Sequence, residues 1–260
     1  MGVARAIQWA LRATPLYPGA RGVYRRLFRR AYLRELAKRK AFYAPFVRAG
    51  SLCFDIGANR GSRTAVFLAL GARVVAAEPS PALAADLREW FGFERRFALE
   101  TVAVGSRRGR ATLHEADVEV ISTLSPEWVE ACKEQEHLRH ACWREREVEV
   151  TTLDRLIERH GVPEFVKIDV EGFETEVLRG LTRPVRALSF EYTPFRAGPA
   201  LECLELLRRL GTARYNVSEG ESYVMRYDRW LSAQECERFC RQEASKGREF
   251  GDIYAVFEGI

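Results

Sequence analysis

What this chain of 260 residues lacks narrows it first. No apolar run approaches the roughly 18–20 residues needed to cross a bilayer, which excludes a helical membrane span. Met1 to Ala10 has no cationic stretch followed by a long apolar core, so no secretory leader is expected there. The six cysteines (Cys53, Cys132, Cys142, Cys203, Cys236, Cys240) are too sparse to staple a chain of this length. Reduced thiols in a soluble, cytoplasmic protein are therefore expected. Low-complexity tracts, internal repeats and a linker that would split off a second domain are also missing, which leaves one large domain or one domain with an appendage.

What is present is ordinary for a globular protein, with 47% hydrophobic and 30% charged residues, but the charge is unevenly placed. Residues 1–50 hold twelve Arg or Lys and one acid, a balance of +11. Against a net charge of +5, the other 210 residues sum to −6. Within residues 20–48, Tyr24, Phe28 and Tyr32, then Leu33 and Leu36, recur at helical spacing between Arg clusters. The favoured reading is a leading helix packed on the domain with a solvated Arg face. The alternative is a basic arm that docks on an anionic membrane surface or a nucleic acid. Residues 1–50 are thus expected to be a basic helical extension, and residues 51–260 the main domain.

From Ser51 onward, short apolar runs alternate with helical stripes. Ser51 to Phe54, Ala72 to Glu78, Phe97 to Val104, Phe165 to Asp169 and Ala187 to Tyr192 read as buried strands. Between them lie helices beginning near Thr64, at Ser80-Pro81 (with Leu83, Leu87 and Trp90 as the buried stripe), at Thr152, at Glu174 and at Ala200. A capped helix from Ser232-x-x-Glu235 separates two last strand candidates, Arg214 to Val217 running toward Tyr223–Arg226, and Ile253 to Phe257. This rhythm predicts a doubly wound α/β fold around a mostly parallel sheet. Residues 106–150 interrupt it: a small hairpin from Ala111–His114 and Val118–Ser122 is expected, then a charged, exposed stretch over Lys133–Glu147.

The chemistry gathers at strand ends. Asp55, Glu78, Asp169 and Glu191 each close a strand, and ligands of open α/β sheets bind outside those carboxyl ends. Asp55-Ile56-Gly57-Ala58-Asn59-Arg60-Gly61 reads as a strand turning into a helix, whose unpaired N–H groups suit an anion or carboxylate. Gly57 is expected to permit the tight turn, and Gly61 to let a ligand approach the backbone. Glu78 lies 21 residues beyond Gly57, the spacing of an acid that accepts hydrogen bonds from ribose hydroxyls. The glycines run G-x-x-x-G rather than G-x-G-x-x-G, and no Tyr-x-x-x-Lys pair is present. A nicotinamide-dependent oxidoreductase is therefore the second choice, behind a ligand with an amino-acid head group.

Asp55-Ile56-Gly57-Ala58-Asn59-Arg60-Gly61, Ala77-Glu78-Pro79-Ser80-Pro81, Ala103-Val104-Gly105, Thr152-Leu153-Asp154 and Lys167-Ile168-Asp169-Val170-Glu171-Gly172 together resemble the successive motifs of the FkbM-type S-adenosylmethionine-dependent methyltransferases. The resemblance covers roughly residues 50–192. It implies a class I methyltransferase (Rossmann-like) fold, with a seven-stranded, mostly parallel sheet and helices on both faces. It also implies S-adenosyl-L-methionine as cofactor. Asp55, Gly57, Ala58, Asn59 and Gly61 would cradle its methionine moiety, Glu78 and Pro79 its ribose, and Ala103 and Val104 its adenine. Asp169 and Glu171 would face the reactive methyl group and the acceptor, with Glu191 and Tyr192 as second-choice substrate residues. The acceptor implied is a hydroxyl on a sugar, glycolipid, polyketide or other small metabolite, selected in part by residues 106–150. Methylation of nucleic-acid bases is disfavoured, because no Asn/Asp-Pro-Pro-Tyr motif closes the fourth strand.

Methyl transfer to a hydroxyl needs alignment of acceptor and donor and removal of the hydroxyl proton. Asp169 and Glu171, two apart, have the chemistry to share one proton or to hold a divalent cation, though nothing else in the sequence supports a metal. Cys132-x4-His137-x2-His140-x-Cys142 has zinc-type ligands at a spacing that matches no structural zinc site. Cofactor retention without turnover, with the basic arm as a docking device, is a further alternative. The oligomeric state is not legible.

Overall fold

Strand β1 (Leu52–Ile56) is buried along its whole length. Its side chains alternate between two cores: Leu52, Phe54 and Ile56 enter one and Cys53 the other. That two-sided burial is why the run LCFDI is continuously apolar up to its acid. The computed structural model describes residues 33–117, 121–135, 140–194, 196–242 and 250–259. The aromatic positions 24, 28 and 32, residues 118–120 of the expected hairpin, and His137 lie outside the described residues.

The chain alternates from β1 into α1 (Ser62–Ala69), β2 (Arg73–Ala77), α2 (Pro81–Phe91) and β3 (Phe97–Glu100). Next come β4 (Ala103–Val104), β5 (Gly109–Ala116), β6 (Ser122–Thr123), α3 (Pro126–Lys133) and β7 (Trp143–Thr151). The α/β rhythm resumes with α4 (Leu153–His160), β8 (Phe165–Ile168), α5 (Glu174–Arg179), β9 (Ala187–Tyr192) and α6 (Ala197–Leu210). It ends with β10 (Ala213–Glu219), α7 (Ala233–Gln242) and β11 (Gly251–Phe257). The main sheet has seven strands in the order β10-β11-β9-β8-β1-β2-β3. Strands β3, β2, β1, β8 and β9 run parallel, and β11 lies antiparallel between β9 and β10. The order reverses between β1 and β8, so the crevice outside their carboxyl ends is the topological switch point.

Five expectations change. Phe97 to Val104 is not one strand: β3 pairs with β2, whereas β4 leaves the main sheet and pairs with β7. The expected hairpin is part of a second sheet, ordered β4-β7-β5-β6, in which the charged stretch after Trp143 forms a nine-residue strand. Its charges face opposite charges across the strand pair, as in Arg110–Glu147 and Arg146–Glu115, while Leu113 and Val148 turn inward. A run rich in charge therefore forms a strand by cross-strand pairing and not by apolar alternation. Trp90 lies off the buried stripe at 44% exposure, and Tyr223–Arg226 forms no strand, Tyr223 having a positive φ of 50°.

Residues 33–43 are helical and lead into a turn. Tyr43, Phe46 and Val47 are buried against Phe67, Phe165 and Tyr254, so this segment closes one face of the sheet. Among the described residues, no helix is long and apolar enough to cross a membrane. Because Phe46 stacks on Tyr254 and meets Phe165, truncating it removes core and leaves a cavity. Phe46→Ala is expected to lower unfolding stability by about 3 kcal/mol, read from the urea midpoint. An unchanged midpoint would mean that residues 33–50 only drape over the domain.

Candidate functional site

The first turn of the site is shaped by what Gly57 lacks. Its φ is +76°, and a Cβ there would lie 1.8 Å from the carbonyl oxygen of Asp169. The turn after β1 thus presses directly on the end of β8, and only glycine fits. Gly61 also has a positive φ, but the space beside it is taken by Leu87 and Phe91 of α2. It therefore makes room for a helix and not for a ligand, and it lies outside the cavity that the other predicted residues share.

That cavity, of about 200 Å³, is bordered by Asp55, Gly57, Ala58 and Asn59 from the first turn. Glu78 and Pro79 follow β2, Ala103 and Val104 form β4, and Asp169 and Glu171 follow β8. Sequence reasoning thus brought together residues from four separated segments. Asp55 is buried and accepts a hydrogen bond from Thr64 Oγ1 at 2.6 Å, and burial raises its pKa. Glu78 is 3% exposed; its two oxygens accept hydrogen bonds from the backbone N–H groups of Asn59 (2.8 Å) and Ser80 (2.9 Å). Burial outweighs those bonds and pushes its pKa up to about 7. Each carboxylate oxygen keeps acceptor capacity beyond one N–H, so Glu78 also has lone pairs for hydroxyl donors.

The second sheet forms a wall of the same cavity. Leu113, Ser122, Thr123 and Leu124 border it, and Ser80 Oγ donates to Glu115 Oε1 at 2.6 Å, tying β5 to the start of α2. Ser80 is thus the N-cap residue of α2 without capping it through its side chain. Thr123 Oγ1 donates to the carbonyl of Glu171 at 2.6 Å, which holds the loop after β8. Glu171 itself has a φ of +53°, and Glu174 accepts from the N–H groups of Val170 and Gly172. None of these wall residues stood out in the sequence, because the contribution comes from tertiary placement of a segment with no motif.

Four acids crowd this loop. Asp169, Glu171 and Glu191 bring oxygens within 4.8 Å of one another. Burial, reinforced by the neighbouring carboxylates, raises the pKa of Glu171 and of Glu191 and pushes that of Glu174 up to about 7. Such repulsion is relieved by protons, by a cation or by both. The cation the chain itself supplies is Lys167, whose Nζ lies 3.1 Å from Asp169 Oδ2. Glu191 sits in an adjoining small cleft, and Tyr192 is a core residue, 4% exposed with its ring edge-on to Phe239.

Two charged residues at the site were missed. Arg63 of α1 borders the cavity, donates to Tyr223 Oη at 2.5 Å and to Glu221 Oε1 at 2.8 Å, and so ties the loop after β10 to the cavity wall. Lys167 is fully buried inside β8, and a lysine in the middle of an apolar strand was a signal available in the sequence. The zinc-type cluster gains no support, since Cys132 is buried while Cys142 is exposed.

Comparison with known proteins places residues 55–216 on the methyltransferase FkbM domain. No curated protein matches the chain. Among solved structures, precorrin-6Y C5,15-methyltransferase from Geobacter metallireducens is 12% identical, with TM-score 0.45 over 85% of this chain and 87% of that one. A TehB-like SAM-dependent methyltransferase from Corynebacterium glutamicum is 13% identical, with TM-score 0.45 over 93% and 100%. Fibrillarin from Aeropyrum pernix, in complex with S-adenosyl-L-methionine, is 12% identical, with TM-score 0.41 over 81% and 68%.

The raised proton affinities have a stability consequence. An unfolded glutamate releases its proton near pH ~4.3, whereas Glu78 and Glu174 in the fold hold theirs to about 7. As pH rises between those values the unfolded chain has lost protons that the fold retains, so stability present at low pH is lost toward pH 7. The thermal midpoint of the ligand-free protein is expected to fall from pH 5 to 8. Glu78→Gln, which keeps one acceptor oxygen for the two N–H groups of Asn59 and Ser80, should start lower at pH 5 and flatten that fall; a curve parallel to that of the parent protein would refute the assignment.

Proposed function

The chain belongs to the FkbM methyltransferase family and is an S-adenosylmethionine-dependent methyltransferase; on that premise we propose that its acceptor atom is a hydroxyl oxygen of a small or carbohydrate-containing molecule. The observation that carries this reading is Asp169. It borders the same cavity as the Gly57–Asn59 turn, and it is the acid of its cluster that is paired with a buried ammonium. A carboxylate fixed beside an acceptor can take the proton that a hydroxyl must lose.

The residues present fit the cofactor. Glu78 is a buried acid with acceptor capacity left for paired hydroxyls, and Gly57, Ala58 and Asn59 border the same cavity. When bound, the cofactor supplies a methyl group activated by a sulfonium. The chain's own residues then have three tasks. Asp55, Ala58 and Asn59 position the amino-acid end, and Glu78 the sugar. Val104 and Leu113 exclude water from the flat face of the base. Asp169 orients the acceptor hydroxyl and receives its proton, with Glu171 as its protonated neighbour near neutral pH. Alignment of this kind supplies most of the acceleration in an in-line displacement.

Residues 106–150, which bring Leu113, Ser122 and Thr123 to the cavity, are proposed to select the acceptor. The nicotinamide reading loses its ground to the family membership. Of the basic segment, residues 33–50 are described, and they pack on the domain.

The test is a labelled-methyl transfer screen against cell extract, with mass identification of the product. A labelled product whose methyl group survives mild base and sits on an ether oxygen is expected; an N-methyl or C-methyl product overturns the proposal. With that acceptor in hand, Asp169→Asn should lower kcat by about 10²–10⁴-fold. Calorimetric affinity for S-adenosylhomocysteine should stay within about threefold. Equal loss of both would make Asp169 a structural acid.

A further inference from the structure

Lys167 is spent inside the protein. It is fully buried; its Nζ donates to Asp252 Oδ1 at 3.0 Å and to the carbonyl of Ile168 at 3.2 Å, and it forms an ion pair with Asp169 Oδ2 at 3.1 Å. Burial works against the ammonium, but the two carboxylates outweigh it and hold its pKa above the ordinary lysine value. Asp252, on β11, accepts from Tyr254 Oη through its other oxygen at 3.2 Å, and Tyr254 Oη lies 3.4 Å from Tyr43 Oη of the leading helix. Asp252, Tyr254 and Tyr43 all lie outside residues 55–216, and none of the three borders the cavity.

We infer that Lys167 and Asp252 are positioning residues for Asp169: one buried ammonium, shared between an acid in the site and an acid behind it, fixes Oδ2 of Asp169 and leaves Oδ1 for the acceptor hydroxyl. The sharing matters as much as the contact. A lysine given wholly to Asp169 would hold that carboxylate too tightly to make a good proton acceptor, and a site without it would leave Asp169 among like charges. Asp252 draws off part of the ammonium's field, and Tyr254 with Tyr43 keeps Asp252 in place. The inference deepens the reading of Asp169 as proton acceptor and rests on it.

Other charges around Asp169 come from every packed element. Glu171 and Glu174 follow it, Glu191 lies on β9 and Asp55 on β1, while Arg63 on α1 and Tyr43 act on Lys167. The variants therefore change one charge at a time. Asp252→Asn keeps a carbonyl oxygen for Lys167 and removes the negative charge, its amide nitrogen standing where Oδ2 accepts from Tyr254 Oη; Lys167→Met removes the cation.

Carboxyl ¹³C NMR of aspartate-labelled protein, with the Asp169 signal assigned by its loss in Asp169→Asn, reads the outcome without any acceptor. In Asp252→Asn the Asp169 titration midpoint should move down by about one unit or more, as expected for a unit charge ~6 Å away in a partly screened site, and in Lys167→Met, if it folds, up by at least as much, the ammonium lying 3.1 Å away. With the acceptor from the transfer screen, kcat of Asp252→Asn should fall at least about tenfold, while affinity for S-adenosylhomocysteine stays within about threefold. A midpoint that does not move in Asp252→Asn overturns the inference, whatever the thermal stability does. Moved midpoints with no methyl transfer to any hydroxyl would instead refute the acceptor reading and keep the positioning.

Discussion

The site depends on a contact with no room in it. The turn after β1 meets the end of β8 at Gly57, where the carbonyl of Asp169 occupies the place a Cβ would need. Two neighbouring parallel strands can approach this closely at their ends only if one of them bears no side chain there. The approach sets the distance between the turn assigned to the cofactor and the acid assigned to the acceptor. Methyl transfer is governed by that distance, because the chemistry needs donor and acceptor in line and in contact. The rest of the fold holds the two strand ends in this relation: β2 and β9 flank them in register, and the second sheet clamps the loop after β8 through Thr123.

Crowding of acids is the electrostatic counterpart of that geometry. Asp55, Glu78, Asp169, Glu171, Glu174 and Glu191 converge because the carboxyl ends of parallel strands converge, and most of them are held protonated beyond their usual range by burial. This costs stability at the pH where a carboxylate is wanted, a common tension between folding and function. The chain eases it with one buried lysine and with backbone N–H groups aimed at Glu78 and Glu174. Neither device neutralises the whole cluster. The acids differ from one another mainly in which of these partners they have, and that difference separates an acid fit to hold hydroxyls, an acid that shapes a loop and an acid able to accept a proton.

How much of this was legible follows from what each signal depends on. Strand ends marked by acids, glycines at a turn and the 21-residue offset of Glu78 are local features, and the α/β order and the placing of Asp55, Gly57 and Glu78 at one sheet edge follow from them; Ala58, Asn59, Pro79, Ala103 and Val104, which border the same cavity, came with the family resemblance. Gly61 shows where local reading stops: its glycine is required by Leu87 and Phe91, which are distant in sequence. Arg144–Glu147 are exposed, as the charged stretch suggested, but that they form strand β7 was not legible, because its pairing partner β5 cannot be seen from its own residues. Tyr192 ended a strand at the expected edge, yet its ring turned inward to Phe239, since alternate side chains of a strand face opposite ways. Arg63 and Asp252 belong to no motif at all.

The least legible parts are also the ones that make this chain more than its family domain. The matched region stops at residue 216, before β11 begins. Yet β11 lies between β9 and β10 and carries the acid behind Lys167. The leading helix likewise precedes the match, and its Tyr43 meets Tyr254 of β11 under the sheet. Seen from the cavity these segments are structural backing. Seen from Asp169 they form a buried polar chain that starts on the leading helix and ends on a carboxylate of the site. Buried polar groups are stable only when their partners are in place, so the outer segments cannot shift without disturbing that carboxylate. Asp169, the proposed proton acceptor, is thereby made sensitive to packing between the two ends of the described chain.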